Sequence, residues 1–297
     1  MANPVRVTMS RVAIQGELGS NSHMAALELS SVPGFQGSAG AKIVACAGSA
    51  DVFDAVETAA VECAVLPIEN SLHGSVAEHY DLLLTRKVAV VGETLLRVRH
   101  NVIARPGVRL DQVRRVMSHP VALSQCRQWL FAHREIEAVP FYDTAGSVKQ
   151  VMESGSDELA GIAPELAAIE YGGSVLVRGI EDHAENYTRF YVLAKEPQDG
   201  TFETLPANKM SVGFRLEHRP GSLMEALEAF RSAGLSLTKI ESRPVPGRPW
   251  EYVFFVDTRF DSAMQVDGAM QELSKHCELV KELGRYRAAE PLVDGLG

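Results

Sequence analysis

Apolar positions come in short continuous runs separated by stretches of helical spacing, the pattern of buried strands alternating with amphipathic helices. Residues 11–15 read as a strand. A glycine turn from Gly16 to Ser20 follows, then a helix capped by Ser22. Residues 43–46 and 63–66 are the next strands. Between them Ser49 is the expected N-cap of a helix whose buried face carries Val52, Phe53, Val56 and Ala60. The 63–66 run enters a polar loop over 67–76, before a helix over 76–84; residues 88–94 and 95–103 read as extended. A second block repeats the alternation. It has strand 116–117 ending in Ser118-His119-Pro120, a helix through 124–130, strand 136–139, and a helix capped by Asp143 or Thr144 that reaches Glu153. Strand 159–163 and a helix opened by Pro164 and ended by Gly172-Gly173 complete it, and residues 181–195 close the unit.

Two α/β blocks whose polar residues gather at strand-to-helix turns predict two lobes around a cleft, where such sheets bind ligands. The expected two-lobed domain is 1–197, with one lobe over about 10–99 and 183–197 and the other over about 100–182. A polar, Pro/Gly-punctuated linker over 198–208 separates it from residues 209–285. These read strand, helix, strand, strand, helix, strand, the βαββαβ ferredoxin-like order, with Pro246-Gly247 as a turn and 286–297 as a tail.

Of 297 residues, 46% are hydrophobic and 23% charged, an ordinary globular balance. A net charge of -9 argues against a nucleic-acid or anionic-membrane surface. An anionic ligand would therefore need locally placed Arg, His or backbone N–H groups. Cys46, Cys63, Cys126 and Cys277 lack C-x-x-C spacing and read as reduced thiols, with no zinc site. No run approaches a membrane span, and the first ten residues lack the apolar core of a leader, so the expected location is the cytoplasm.

Candidate chemistry concentrates in Asn186-Tyr187-Thr188-Arg189-Phe190, where an amide, a hydroxyl and a guanidinium crowd the mouth of an apolar strand. From the residues alone, Asn70 serves equally as a turn former, Ser118 as an N-cap, and Glu69 as an orienting or a solvated group. His23, His73, His119 and His183 read as structural.

Several motifs fall in one order. They are Gly16-Glu17-Leu18-Gly19-Ser20-Asn21-Ser22-His23, Pro67-Ile68-Glu69-Asn70-Ser71 with Gly74-Ser75-Val76, Ser118-His119-Pro120 with Gln125-Cys126, Asp143-Thr144-Ala145-Gly146-Ser147, and Asn186 to Phe190. Together they resemble the prephenate dehydratases. Gly221-Ser222-Leu223-Met224 and Glu241-Ser242-Arg243-Pro244 resemble the phenylalanine-binding motifs of that family's C-terminal ACT domain. The resemblance implies a two-lobed fold like type II periplasmic binding proteins plus a ferredoxin-like ACT domain, self-associating as dimer or tetramer. It implies decarboxylating dehydration of prephenate to phenylpyruvate without metal or cofactor, regulated by L-phenylalanine. Catalytic roles would fall on Thr188, Asn70, Ser118, Gln125, Arg189 and Glu69, and substrate contacts on Ser20, Ser22, Ser71, Thr144 and Ser147. Thr188 would serve the departing hydroxyl and Arg189 the retained carboxylate. Arogenate dehydratases share the motifs, and a non-catalytic small-acid or amino-acid sensor is the reading from another class.

Overall fold

The computed structural model describes residues 9–31, 35, 40–196, 206–245 and 247–289. Residues 198–205 of the expected linker, Pro246 of the expected turn, residues 1–8 and the tail from 290 lie outside these. Among the described residues the strands form three sheets. The first begins with β1 (Arg11–Gln15), and helices lead to its next two strands: α1 (Asn21–Leu27), β2 (Lys42–Cys46), α2 (Ser49–Glu57) and β3 (Cys63–Asn70). A short β4 (Gly74–Ser75) folds back on the end of β3, and α3 (Ala77–Thr85) leads to β5 (Val88–Arg97).

The chain then crosses to a second sheet of β6 (Asn101–Ala104), β7 (Arg115–Ser118), β8 (Glu137–Pro140), β9 (Leu159–Ala163) and β10 (Ser174–Val177). Its helices are α4 (Pro120–Ser124), α5 (Arg127–Ala132), α6 (Thr144–Ser154) and α7 (Glu165–Tyr171). The return strand β11 (Tyr187–Lys195) inserts between β3 and β5, antiparallel to both. Strand orders are β2-β1-β3-β11-β5 and β10-β6-β9-β7-β8. Two crossings thus join two lobes and are tied to each other: Val98 N–H donates to Asn186 C=O at 2.7 Å, and Ile180 N–H to His100 C=O at 2.9 Å.

Several local expectations are corrected. Ser20, not Ser22, caps α1, its hydroxyl accepting from His23 N–H. Gly48 precedes α2, and Asp51 answers its N–H. The helix expected over 124–130 is two, broken at Gln125-Cys126. There the Gln125 carbonyl accepts from Asp182 N–H, and the Asp182 carboxylate takes the N–H groups of Arg127 and Gln128 at the start of α5. The polar loop after 63–66 is shorter than expected because β3 continues through Pro67 to Asn70, and β10 had no counterpart in the sequence reading.

The C-terminal unit is β12 (Lys209–Leu216), α8 (Ser222–Ser232), β13 (Ser236–Pro244), β14 (Tyr252–Arg259), α9 (Ala263–His276) and β15 (Cys277–Tyr286). Its antiparallel order β13-β14-β12-β15 is the ferredoxin-like arrangement. One face packs Met210, Val212, Phe214 and Val256 on α8 and α9. The other presents Val253, Phe255, Leu283 and Tyr286 to a core shared with α2, α3 and the first sheet. At Gly284 the approach is so close that a Cβ would overlap the Val90 carbonyl.

Strand β11 divides these environments by its period of two. Phe190, Val192 and Ala194 join the core under α1, whereas Tyr191 and Leu193 face the C-terminal sheet. Thr188 follows the first set and Arg189 the second. On β3 the register runs from Ala64 opposite Leu193 to Pro67 opposite Phe190. It then skips Ile68, so that Glu69 opposes Arg189 and Asn70 opposes Thr188. This bulge keeps Ile68 and Glu69 on the C-terminal side and turns Asn70 to the face of Thr188.

Candidate active site

Thr188 and Asn70 meet at the floor of a cavity of about 800 Å³ walled by both lobes. Asn70 Oδ1 accepts from the N–H groups of Leu72 and His73, both at 3.0 Å, which fixes the amide orientation. Its Nδ2 therefore faces Asn186 Oδ1 at 2.8 Å, the Tyr187 carbonyl at 3.1 Å and Thr188 Oγ1 at 3.0 Å. Because an amide N–H can only donate, Thr188 Oγ1 accepts here and keeps its own proton for another acceptor. Asn186, fully buried beside them, is a member of the constellation that the candidate roles did not include; it stands in the same motif as Thr188.

The second lobe supplies Gln125, which lines the cavity from the α4–α5 break. His100 Nε2 lies 2.7 Å from Gln125 Oε1, and Gln125 Nε2 lies 3.0 Å from His73 Nδ1. Burial lowers the pKa of His100, so the ring is the neutral species at ordinary pH. Ser20, Ser22 and Thr144 also line the cavity.

Other expected residues stand elsewhere. Ser118 is fully buried, and its hydroxyl donates to Ile162 C=O at 2.5 Å, stapling β7 to β9; the cap of α4 is the neighbouring His119. Ser147, also fully buried, donates to Thr144 C=O at 2.6 Å and packs against Gly161. Ser71 closes the loop onto β11, its Oγ accepting from Tyr187 N–H at 3.0 Å.

Arg189 and Glu69 are turned away from the cavity. The Arg189 guanidinium donates to Asp257 Oδ2 at 2.5 Å, Glu93 Oε2 at 3.2 Å and Glu69 Oε2 at 3.0 Å. Lys209 binds Glu93 at 2.8 Å, and Lys239 binds the other oxygen of Glu69 at 2.9 Å. Burial would raise the Asp257 pKa, but Arg189 and Lys209 outweigh it and hold the carboxyl below its ordinary value. Both residues thus join the first lobe to the C-terminal sheet. The expected grip of Arg189 on a substrate carboxylate gives way to this ion network, since adjacent strand residues point to opposite faces.

Among the described residues, no Lys or Arg lines the cavity. One end carries the carboxyls of Glu17 and Asp143. Asp143 caps α6 through Gly146 N–H at 2.7 Å, and burial raises its pKa. Glu17, on the first lobe, is reached from the second by Tyr142 O–H at 2.8 Å and Lys149 Nζ at 3.1 Å. Burial acts to raise its pKa, yet these contacts prevail and lower it, while Tyr142 is pushed up to about 12 by burial and by Glu17. Among the described residues, no group of His, Cys, Asp or Glu side chains is arranged to hold a metal ion.

A family model described as prephenate dehydratase matches residues 12–198. The chain belongs to the prephenate dehydratase family. It is 39% identical over 288 residues to arogenate dehydratase/prephenate dehydratase 2 of Arabidopsis thaliana, an alignment that spans 93% of this chain and 72% of that one. A solved prephenate dehydratase from Arthrobacter aurescens in complex with L-Phe matches with a TM-score of 0.83 at 29% identity, over 93% of this chain and 90% of that one. A structure described as GqqA, a novel type of quorum quenching acylase, matches with a TM-score of 0.81 at 32% identity, over 94% of this chain and 98% of that one. As a member of the prephenate dehydratase family the chain is a carbon–oxygen lyase.

Proposed function

We propose that the chain catalyses decarboxylating dehydration of prephenate to phenylpyruvate, with arogenate as the competing substrate, under control of L-phenylalanine. The observation that carries the chemistry is the Thr188–Asn70 pair, in which a fixed amide donor leaves the Thr188 proton available at the cleft floor. In the reaction the bond between ring and carboxylate breaks and its electrons aromatise the ring. The carbon–oxygen bond at the opposite ring position breaks with it. A proton passing from Thr188 to the departing oxygen makes water, and the Thr188 oxygen is reprotonated from solvent. Such a positioned donor contributes about 10²–10⁴-fold.

Walls that carry no Lys or Arg among the described residues suit the departing carboxylate, because a cation would stabilise the charge that must be lost. Gln125 and the start of α6 at Thr144 are the donors proposed for the retained side chain. The acyl-transfer chemistry in the description of GqqA would need a base on the Thr188 hydroxyl. The Thr188 partner is an amide donor, which favours dehydration.

For the effector, the L-Phe complex of the Arthrobacter protein supports L-phenylalanine as a ligand, and we place its site in the C-terminal unit. The residues proposed for it are Gly221, Ser222, Leu223 and Met224 at the start of α8, and Glu241, Ser242, Arg243 and Pro244 on β13. Strands β12 and β13 run in the same direction, so these two segments lie at one end of the sheet. Strand β13 is an edge with Leu237 and Ile240 exposed, which supports self-association along it. Glu241 accepts from Ser75 O–H at 2.8 Å and Arg243 binds Asp81 at 3.0 Å, so a ligand drawing on either is felt in the catalytic lobe.

The decisive experiment follows phenylpyruvate from prephenate and phenylalanine from arogenate, with wild type, Thr188→Ala and Thr188→Ser. Thr188→Ala should lose about 10²–10⁴-fold in kcat and Thr188→Ser should retain most of it; an alanine variant at full kcat removes the donor. Flat activity across millimolar L-phenylalanine, with no heat of binding, removes the effector.

A further inference from the structure

We propose that His73 is a positioning residue that couples closure of the two lobes to the aim of Gln125. The inference rests on the dehydratase reading of this cleft. His73 stands in the turn between β3 and β4, on the first lobe, and its side chain reaches the second. Nδ1 lies 3.0 Å from Gln125 Nε2, and Nε2 lies 3.0 Å from Ser124 Oγ.

The hydrogens follow from the partners. Gln125 Nε2 only donates, so His73 Nδ1 accepts. Ser124 spends its proton on Val121 C=O at 2.7 Å, so His73 Nε2–H donates to Ser124. From the other side His100 Nε2–H donates to Gln125 Oε1. The two imidazoles therefore grip opposite ends of one amide and set its plane. A flipped amide would require both rings to change tautomer. One Nε2 hydrogen of Gln125 remains uncommitted, on a side chain that lines the cavity.

The backbone of His73 is fixed by the residue that also holds Thr188. Asn70 Oδ1 accepts from His73 N–H while Asn70 Nδ2 donates to Thr188 Oγ1. A hydrogen-bonded path thus runs from Thr188 through Asn70 and His73 to Gln125, from the floor of one lobe to the wall of the other. Parting of the lobes breaks the His73 contacts and leaves Gln125 restrained at one end only. Gln125 is correctly aimed only when the cleft is shut, which places the effect in kcat.

The test compares His73→Ala, His73→Asn and His73→Gln, alone and with Gln125→Ala, by kcat and KM, with amide exchange of the ligand-free proteins alongside. An asparagine carbonyl occupies the place of the His73 Nδ1 acceptor, whereas a glutamine reaches toward Ser124. The alanine and glutamine variants should lose about tenfold in kcat, the effect of one oriented hydrogen bond, and the asparagine variant should recover most of it. Adding His73→Ala to Gln125→Ala should cost nothing further. Exchange should quicken in residues 71–74 and 124–127 of His73→Ala. Wild-type kcat in His73→Ala, full additivity with Gln125→Ala, or unaltered exchange overturns the inference. Wild-type protein inert toward both prephenate and arogenate overturns the dehydratase reading instead, and the exchange result then decides whether His73 latches the lobes.

Discussion

Replacing Arg189 with glutamine separates the two roles this residue could play. In the wild-type network Arg189 and Lys209 face Asp257 and Glu93, two positive charges against two negative, all with side chains no more than 10% exposed. Without the guanidinium, Asp257 and Glu93 share Lys209 alone, at 3.9 and 2.8 Å. A buried charge stripped of its partner costs about 3–5 kcal/mol. At roughly 2–4 °C per kcal/mol for a protein of this size class, Tm should drop on the order of 10 °C. Differential scanning calorimetry of Arg189→Gln, Asp257→Asn and the double variant reads this directly. The double variant should lose less than the two singles together, because the uncompensated carboxylate goes with the second substitution. Substrate KM in Arg189→Gln should change little. Unfolding at the wild-type temperature combined with a large rise in KM would return the guanidinium to the substrate and refute the interdomain assignment.

Asn70→Asp retains the Thr188 hydroxyl but puts an acceptor against it, so Thr188 should turn its proton to the carboxylate and kcat should fall roughly 10²-fold or more; an enzyme at full kcat contradicts the donor geometry. Glu17 has a lowered folded pKa, so its contacts with Tyr142 and Lys149 stabilise the closed lobes above the ordinary value of 4.5 and are lost as pH falls through the lowered one. Urea midpoints should therefore decline more steeply below pH 4.5 for wild type than for Glu17→Gln, and parallel curves would dismiss the contact. Gly284→Ala drives a methyl into the Val90 carbonyl, so β15 must shift from β5 at about 1–3 kcal/mol; undiminished stability by denaturant titration would deny the close approach.

Much of this molecule is legible in one dimension. Continuous apolar runs such as Ala64-Val65-Leu66 mark central strands because both faces of the first sheet are covered. The helix spacing of Val52, Phe53 and Val56 marks a face that is fully buried, whereas Ala60, expected on the same face, is exposed beyond the end of α2 at Glu57. Asn70 and Thr188 stood out as polar groups beside apolar strands, and their pairing brings together residues 118 positions apart. The Asn186 amide stood in the same cluster of candidate chemistry, but its contact with Asn70 Nδ2 is set only by the pairing of β11 with β3. Glu17 and His73 take their roles from partners on the opposite lobe, and His100 from Gln125 beyond the crossing, so these pairings leave no local signal.

Ser118, Ser147, Arg189 and Glu69 mark the limit. Their residue types and motif positions suited the cleft, but a hydroxyl that can cap, donate across a sheet or bind a ligand has no fixed role until its neighbours are fixed. Periodicity and motif order were enough for the alternation of strands and helices, the two α/β blocks, the ferredoxin-like order of the C-terminal unit and the family to which the chain belongs. The face on which each polar group stands emerges only once the strands are paired. The physical reason is the period of two along β11 and the bulge at Ile68, which together send Thr188 and Asn70 into the cleft and Arg189 and Glu69 into a buried ion network on the other side.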